Sequence, residues 1–423
     1  MAYVIIGSKP YTKIELNDIL DVFPENARCN LAIPNNNNGT KACDYILNGH
    51  IALNMNRYEK EKCYSCYSQQ VEKDYFYKAW DFFKSGSCRQ IYVQRKGMVV
   101  GLFNKYLREI GSPVYFSKNP RVGYEMIYNL LISGKRNIFV SGFSLDNKIN
   151  VSFYNDSSVV TDTKIAVHHN ILSEIRVLKW LHSTNRIDIT LCSLKDNPLP
   201  TFNCKEVRPT IQILGLFLQK YGICILENYF SEETIMNINN NFNEIFKNQK
   251  DLIDILDKEG CSNDERIFHA EKYGEHIRRF SEEPLFNEIA KRYNSNFKKK
   301  TLINRLTYEE GKIKNSGAGW HRDNHHCQFK AIMYLTDVNN KNGNFQFLTN
   351  SSRRHIGYPK PRTADYNTRF SDETIEEILK NKTIEKHDLT GKKGTVLLVD
   401  TTYIHRGNII EEGERKAITQ YYF

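Results

Sequence analysis

Apolar and polar positions change rhythm near the middle of the chain. In the first half, short apolar runs alternate with longer segments of helical spacing. Tyr3-Val-Ile-Ile6 reads as a strand, Gly7-Ser8-Lys9-Pro10 as a turn and residues 13–22 as a helix. Helices at 121–133 and 170–182 then alternate with strands at 137–141 and 187–191. Such alternation predicts a largely parallel sheet between helical layers, an α/β fold of Rossmann-like class.

The second half opens with a helix at 211–220 and a strand at 222–227, followed by helices over 231–295, including Glu232–Phe246, around a charged loop at 257–267. Short strands take over after that. Residues 331–337 and 343–348 read as two strands around an Asn/Lys/Gly turn, and 394–400 as another. This pattern predicts a β-rich double-stranded β-helix, or jelly roll, with flanking helices and a cavity lined by strand residues. Pro198, Pro200 and Pro209 mark 199–210 as a short, stiff linker between domains at 1–198 and 211–423.

Composition adds bounds. The 423 residues are 40% hydrophobic and 12% aromatic, enough for two sizeable cores. No apolar run reaches the roughly 18 residues of a spanning helix. The opening Met-Ala-Tyr-Val-Ile-Ile-Gly has neither the basic start nor the long apolar stretch of a signal peptide, so a cytoplasmic protein is expected. Ten cysteines fit thiols in a reducing compartment, and Cys63-Tyr-Ser-Cys66 lacks the second pair a zinc site needs. The net charge of +10 allows an anionic small substrate, nucleic acid or an anionic membrane surface, with peripheral attachment at an inner membrane. No helix-turn-helix, zinc finger or aromatic RNA-binding pattern accompanies the charge, which argues against nucleic acid.

Candidate chemistry concentrates late in the chain. In Trp320-His321-Arg322-Asp323, the His and the Asp stand two apart, so on a strand both project from one face. A second His from a distant strand, such as His405 in Thr402-Tyr403-Ile404-His405-Arg406-Gly407, completes a two-histidine, one-carboxylate facial triad for non-haem Fe(II). Arg415, ten residues further on, offers a cationic fork for a dicarboxylate.

Residues 210–423 resemble the phytanoyl-CoA dioxygenase family of iron- and 2-oxoglutarate-dependent oxygenases. The resemblance runs through Tyr221-Gly-Ile-Cys-Ile-Leu-Glu-Asn-Tyr-Phe-Ser-Glu-Glu233, the Trp-His-x-Asp segment and the final His-Arg-Gly…Arg. It implies that His321, Asp323 and His405 bind Fe(II) and that Arg415 holds the distal carboxylate of 2-oxoglutarate. The implied reaction is hydroxylation, with 2-oxoglutarate converted to succinate.

The first half offers a strand–glycine turn–helix opening, the form of a nucleotide-binding unit, although one glycine falls short of G-x-G-x-x-G. Val4-Ile-Ile-Gly-Ser-Lys-Pro with Arg28-Cys-Asn30, then Tyr115-Phe…Gly123…Ser141-Gly142, then His169…Glu174-Ile-Arg-Val-Leu-Lys-Trp-Leu181 resemble bacterial sialyltransferases that use cytidine-monophosphate (CMP)-activated sialic acid. This resemblance implies a metal-free CMP-sugar site at Gly7, Ser8, Lys9, Asn30 and Gly123, with His169 as catalytic base. Ser8-Lys9 replaces the family's Asn-Gly, which points to another sugar donor. The combined expectation is a two-domain enzyme of surface glycan biosynthesis, a lipooligosaccharide or a capsule, acting on a small-molecule or glycan substrate. Two alternatives stand beside it: an active oxygenase with a nucleotide-sugar or glycan binding module in front, and a nucleic-acid-modifying oxygenase.

Overall fold

A computed structural model describes residues 2–7, 13–29, 44–47, 90–93, 98–118, 120–145, 170–255, 263–310, 319–323, 328–352 and 368–423. The Cys63–Cys66 pair lies outside them. Contacts divide the chain into two units, residues 1–198 with 206–210, and residues 199–205 with 211–423.

The first unit contains β1 (Tyr3–Ile6), α1 (Asn17–Leu20), β2 (Glu25–Cys29), β3 (Asp44–Leu47), β4 (Gln90–Val93), α2 (Met98–Glu109), α3 (Val122–Ile132), β5 (Ile138–Ser141) and α4 (Ile171–Ser183). The five strands are all parallel, in the order β4-β3-β2-β1-β5. Every residue of β1 is buried, as a strand covered on both faces requires. Phe103, Leu107, Tyr124, Ile127, Val177 and Leu181 of the helices pack with Ile5 and Val140 of the sheet.

Two expected elements are shorter. The helix expected over 13–22 is only Asn17–Leu20: Ile14 and Leu16 are buried in non-helical backbone, and no side chain caps the start. The strand expected over 187–191 is a single bridge between Asp188 and Phe139. Asp188 Oδ1 accepts from the Thr190 backbone N–H at 2.8 Å and turns the chain into a 3₁₀ segment, Thr190–Ser193.

The second unit begins inside the expected linker, with β6 (Thr201–Asn203) pairing in parallel with β7 (Ile223–Glu227). Proline keeps its acceptor, and the Pro200 carbonyl accepts from Ile225 N at 2.8 Å, so a proline-flanked segment can serve as an edge strand. Between them, α5 (Ile211–Tyr221) ends at Gly222, whose φ of +74° is easy only for glycine. A Cβ there would stand 2.5 Å from the Tyr403 ring. Next come α6 (Glu232–Asn248), β8 (Asp254–Ile255), β9 (Asn263–Phe268), α7 (Glu275–Ser281), α8 (Pro284–Tyr293) and β10 (Lys299–Thr307). The Ser231 hydroxyl caps α6 by accepting from Thr234 N at 3.1 Å, and Ile235, Ile238, Phe242 and Phe246 form its buried face.

The remaining elements are β11 (Trp320–His321), β12 (Phe329–Tyr334), β13 (Phe345–Leu348), β14 (Arg369–Phe370), α9 (Asp372–Leu379), β15 (Lys386–Leu389), β16 (Val396–Asp400), β17 (His405–Gly407) and β18 (Glu414–Tyr422). They complete two sheets, β6-β7-β16-β12-β18-β10-β9-β8 and β14-β11-β17-β13-β15. Ile332, Tyr334, Leu397 and Val399 of the larger sheet share a core with Phe347 and Leu389 of the smaller, so the β-rich sandwich expected for this half is present.

The charged loop expected at 257–267 becomes β9 from Asn263 onward, because Asp264 and Arg266 neutralise each other and Glu265 pairs with Arg305 on the neighbouring strand. The two strands read around an Asn/Lys/Gly turn are not hairpin partners. β12 joins the large sheet and β13 the small one, so the intervening chain crosses the sandwich.

Candidate metal centre

His321 and His405 are register partners in the antiparallel pairing of β11 with β17. Asp323 lies just past the end of β11, its backbone N–H donating to Thr401 O at 3.2 Å. One ligand atom from each of these three side chains falls within 4.8 Å of the other two. Asp323 Oδ1 is 3.6 Å from His321 Nε2, and Asp323 Oδ2 is 3.6 Å from His405 Nε2.

The outer nitrogens fix the tautomers. His321 Nδ1 is 2.8 Å from Gly319 O, and His405 Nδ1 is 2.9 Å from Tyr403 O. A carbonyl only accepts, so each Nδ1 carries the proton and each Nε2 presents a lone pair inward. Burial lowers the pKa of His405 and keeps the ring neutral, the form a metal needs. Its Nε2 is buried with no hydrogen-bond partner among the described residues. Burial alone would raise the Asp323 carboxyl, but the Lys330 ammonium and then His405 hold it well below the usual carboxylate range. Two imidazoles with Nε2 turned inward, one carboxylate and a buried His405 nitrogen with no hydrogen-bond partner among the described residues fit a divalent metal ion.

The three side chains open on a cavity of about 330 Å³ between the sheets. Inward residues alternate along the larger sheet: Lys330, Ile332 and Tyr334 on β12, and Arg415, Ala417, Thr419 and Tyr421 on β18. Arg415 is deeply buried, and burial pulls its guanidinium below its ordinary pKa. Its Nη1 donates to Gly343 O, while Nε has no hydrogen-bond partner among the described residues. Burial pushes the Tyr334 phenol up to about 12, so it stays protonated and donates to Leu389 O at 2.8 Å. Gly407 lies two residues from His405 on β17, and a Cβ there would stand 3.9 Å from Arg415 Nη1. The lack of a side chain at Gly407 leaves room between the triad and the guanidinium. Phe345 stacks on His405, with ring centroids 5.2 Å apart.

The sequence reading named His321, Asp323, His405 and Arg415, and all four line this cavity. It missed Lys330, whose Nζ pairs with Asp323 Oδ2, along with Arg266, Tyr421 and Phe345. The available signal was a single lysine on the inward register of an otherwise apolar strand.

The phytanoyl-CoA dioxygenase (PhyH) family model matches residues 218–409. The match takes in His321, Asp323 and His405 and stops before Arg415. No curated protein matches the chain. Among solved structures, the chain is similar to the non-heme α-ketoglutarate-dependent epimerase SnoN from nogalamycin biosynthesis, with 12% identity, a TM-score of 0.41, and 50% of this chain and 82% of that one covered. It is also similar to EctD from S. alaskensis with bound Fe, with 16% identity, a TM-score of 0.39, and 49% and 75% covered.

In the first unit, Ser8, Lys9, Asn30 and His169 lie outside the described residues. Gly7 and Gly123 lie within them, and packing accounts for both. A Cβ on Gly7 would stand 2.5 Å from Gly142 O, and one on Gly123 would collide with Phe143. Arg121, at the N-terminus of α3, is held by Glu174 of α4, which accepts from the Arg121 backbone N–H at 2.9 Å and from Nε at 2.6 Å. No helix of the described residues is long and apolar enough to cross a membrane.

Proposed function

We propose that the second unit is an Fe(II)- and 2-oxoglutarate-dependent oxygenase that hydroxylates a small molecule. The observation that carries this reading is the convergence of His321, Asp323 and buried His405, with an unpartnered Nε2, on the cavity that also holds Arg415. The three side chains would hold the metal on one face. Arg415 would grip the distal carboxylate of 2-oxoglutarate, with Gly407 leaving space for its carbon chain. Bound together, Fe(II) and 2-oxoglutarate supply oxidation of a C–H bond coupled to decarboxylation of the co-substrate. The chain's own contribution is to orient both imidazoles, keep His405 neutral and Asp323 ionised, and wall the site with Phe345 and the inner strand faces. The test is Fe(II)-dependent release of succinate from 2-oxoglutarate. Wild type should produce it and Asp323→Ala should not; equal succinate from both rules the reading out.

A second reading concerns the first unit. With β1 between β2 and β5, the parallel sheet reverses its strand order beside Gly7 and Gly142, where α/β sheets bind ligands. That order supports a nucleotide-sugar site, and with the sequence resemblance it makes a CMP-sugar the donor and the whole protein an enzyme of surface glycan synthesis. Cytidine monophosphate should raise the melting temperature of the full chain in the presence of a chelator. A response to uridine or adenine nucleotides alone excludes this donor class.

A further inference from the structure

The larger sheet carries positive charge beyond what 2-oxoglutarate uses. Lys300 of β10 and Lys330 of β12 are both register partners of Tyr421 on the strand between them. Their ammonium groups lie 5.3 Å and 4.3 Å from the centre of the Tyr421 ring. Lys300 also rests 5.1 Å from the Phe268 ring and 5.6 Å from the Phe423 ring, and among the described residues no carboxylate pairs with it. Lys330 is 8% exposed and paired with Asp323. Lys330, Tyr421 and Arg266 line the cavity and Lys300 stands outside its lining; Arg266 is neutralised by Asp264, at 2.7 Å and 3.2 Å.

The formal charges decide what this region lacks. A divalent ion at the triad takes over the charge of Asp323 and leaves that of Lys330 uncompensated. Of the two carboxylates of 2-oxoglutarate, one belongs to Arg415 and the other to the ion. The lysine pair then remains positive in a half-buried place, where an unbalanced charge is costly. Arg415 and Tyr421 are six residues apart on β18, roughly 20 Å along a strand. A five-carbon dicarboxylate held at Arg415 therefore does not extend to Lys300, the register partner of Tyr421.

We infer that the organic substrate carries an oxyanion, received by Lys300 and Lys330 around Tyr421, opposite the Arg415 end of the cavity. This rests on the oxygenase reading and adds a substrate class to it. The oxyanion is a phosphate or a carboxylate, either of which a pair of ammonium charges with a phenol hydroxyl can hold.

The test uses the full chain loaded with Mn(II) and 2-oxoglutarate. Metal and co-substrate stoichiometry are measured first. The loaded protein is then titrated calorimetrically with inorganic phosphate and, separately, with acetate, against chloride at equal ionic strength. One of the two anions should bind saturably at a single site, and which one identifies the group. Lys300→Gln should weaken that binding about tenfold or more, the loss of one charge-assisted contact, and Lys300→Arg should largely keep it. Normal Mn(II) and 2-oxoglutarate binding without saturable anion binding overturns this inference alone. Equal affinity in wild type and Lys300→Gln, or equal loss in Lys300→Gln and Lys300→Arg, also overturns it. Failure to bind Mn(II) at all sinks the oxygenase reading, and this inference with it.

Discussion

His321 and His405 are register partners across one strand pairing, their rings tilted by 55° with centres 4.5 Å apart, each with Nδ1 against the carbonyl of the residue two places before it. The same local device orients both rings from independent strands. Neither orientation depends on a side chain that mutation could remove, so the nitrogens that would bind a metal are set by the backbone.

Ligand substitutions should therefore separate two effects. Mn(II) at a hundredfold excess over its Kd should stabilise wild type by about 2.7 kcal/mol through mass action alone. His321→Ala should abolish that gain and change the metal-free protein little. Asp323→Ala should abolish the gain and also lower metal-free stability, because it leaves the Lys330 ammonium buried without its partner. Removing one side of a buried pair costs about 3 kcal/mol or more. Melting curves with and without Mn(II) check both, and equal metal-free stability in the two variants counts against the Lys330–Asp323 pair.

Arg415→Lys keeps the charge but gives up the planar fork. Loss of one charge-assisted hydrogen bond, about 1.5–3 kcal/mol, should raise the KM for 2-oxoglutarate by about 10- to 150-fold. Metal stoichiometry should stay unchanged. An unaltered KM places the dicarboxylate clamp elsewhere.

Gly407 tests the space between the triad and that clamp. An alanine Cβ would meet Arg415 Nη1 at 3.9 Å, an ordinary contact, so Gly407→Ala should fold and bind metal normally. Gly407→Val adds branches into the same space and should raise the KM for 2-oxoglutarate while Mn(II) binding persists. Equal KM values for the two variants would show that the co-substrate does not pass this point.

The triad and Arg415 were legible in the sequence because their residue types and spacing state a chemistry that does not depend on neighbouring strands. Lys330 was not. Its place beside Asp323 follows from which face of the fully buried β12 turns to the cavity, and that is settled by pairing with β16 and β18 rather than by local sequence. The same holds for Lys300, whose place beside Tyr421 follows from the register of β10 against β18. The crossing from β12 to β13 was read as a turn because alternating strands look alike whichever sheet they join. In the first unit, strand–helix alternation gave the parallel sheet; Gly7 and Gly123, read as part of a CMP-sugar site, also stand where a Cβ would meet Gly142 O and the Phe143 ring. A glycine required by a close neighbour and one required by a ligand look the same in sequence.

The last prediction concerns Glu174, whose carboxylate binds both the backbone N–H and the Nε of Arg121 at the start of α3. Glu174 is almost fully buried, and Arg121 is 29% exposed. One side chain of α4 thereby caps α3, whose own N-cap residue supplies no side-chain bond. Glu174→Ala strands a largely buried guanidinium and an N-terminal amide together. The cost should be about 3 kcal/mol, the lower end of the range for breaking a buried pair, because water reaches part of Arg121. Glu174→Gln keeps an acceptor for the amide and should lose clearly less. Amide hydrogen exchange over the first turn of α3 reads the effect directly. Faster exchange in Glu174→Ala than in Glu174→Gln, with the second unit unchanged, is the expected result. Equal protection in both variants and wild type would mean that the first turn of α3 is stable without the cap.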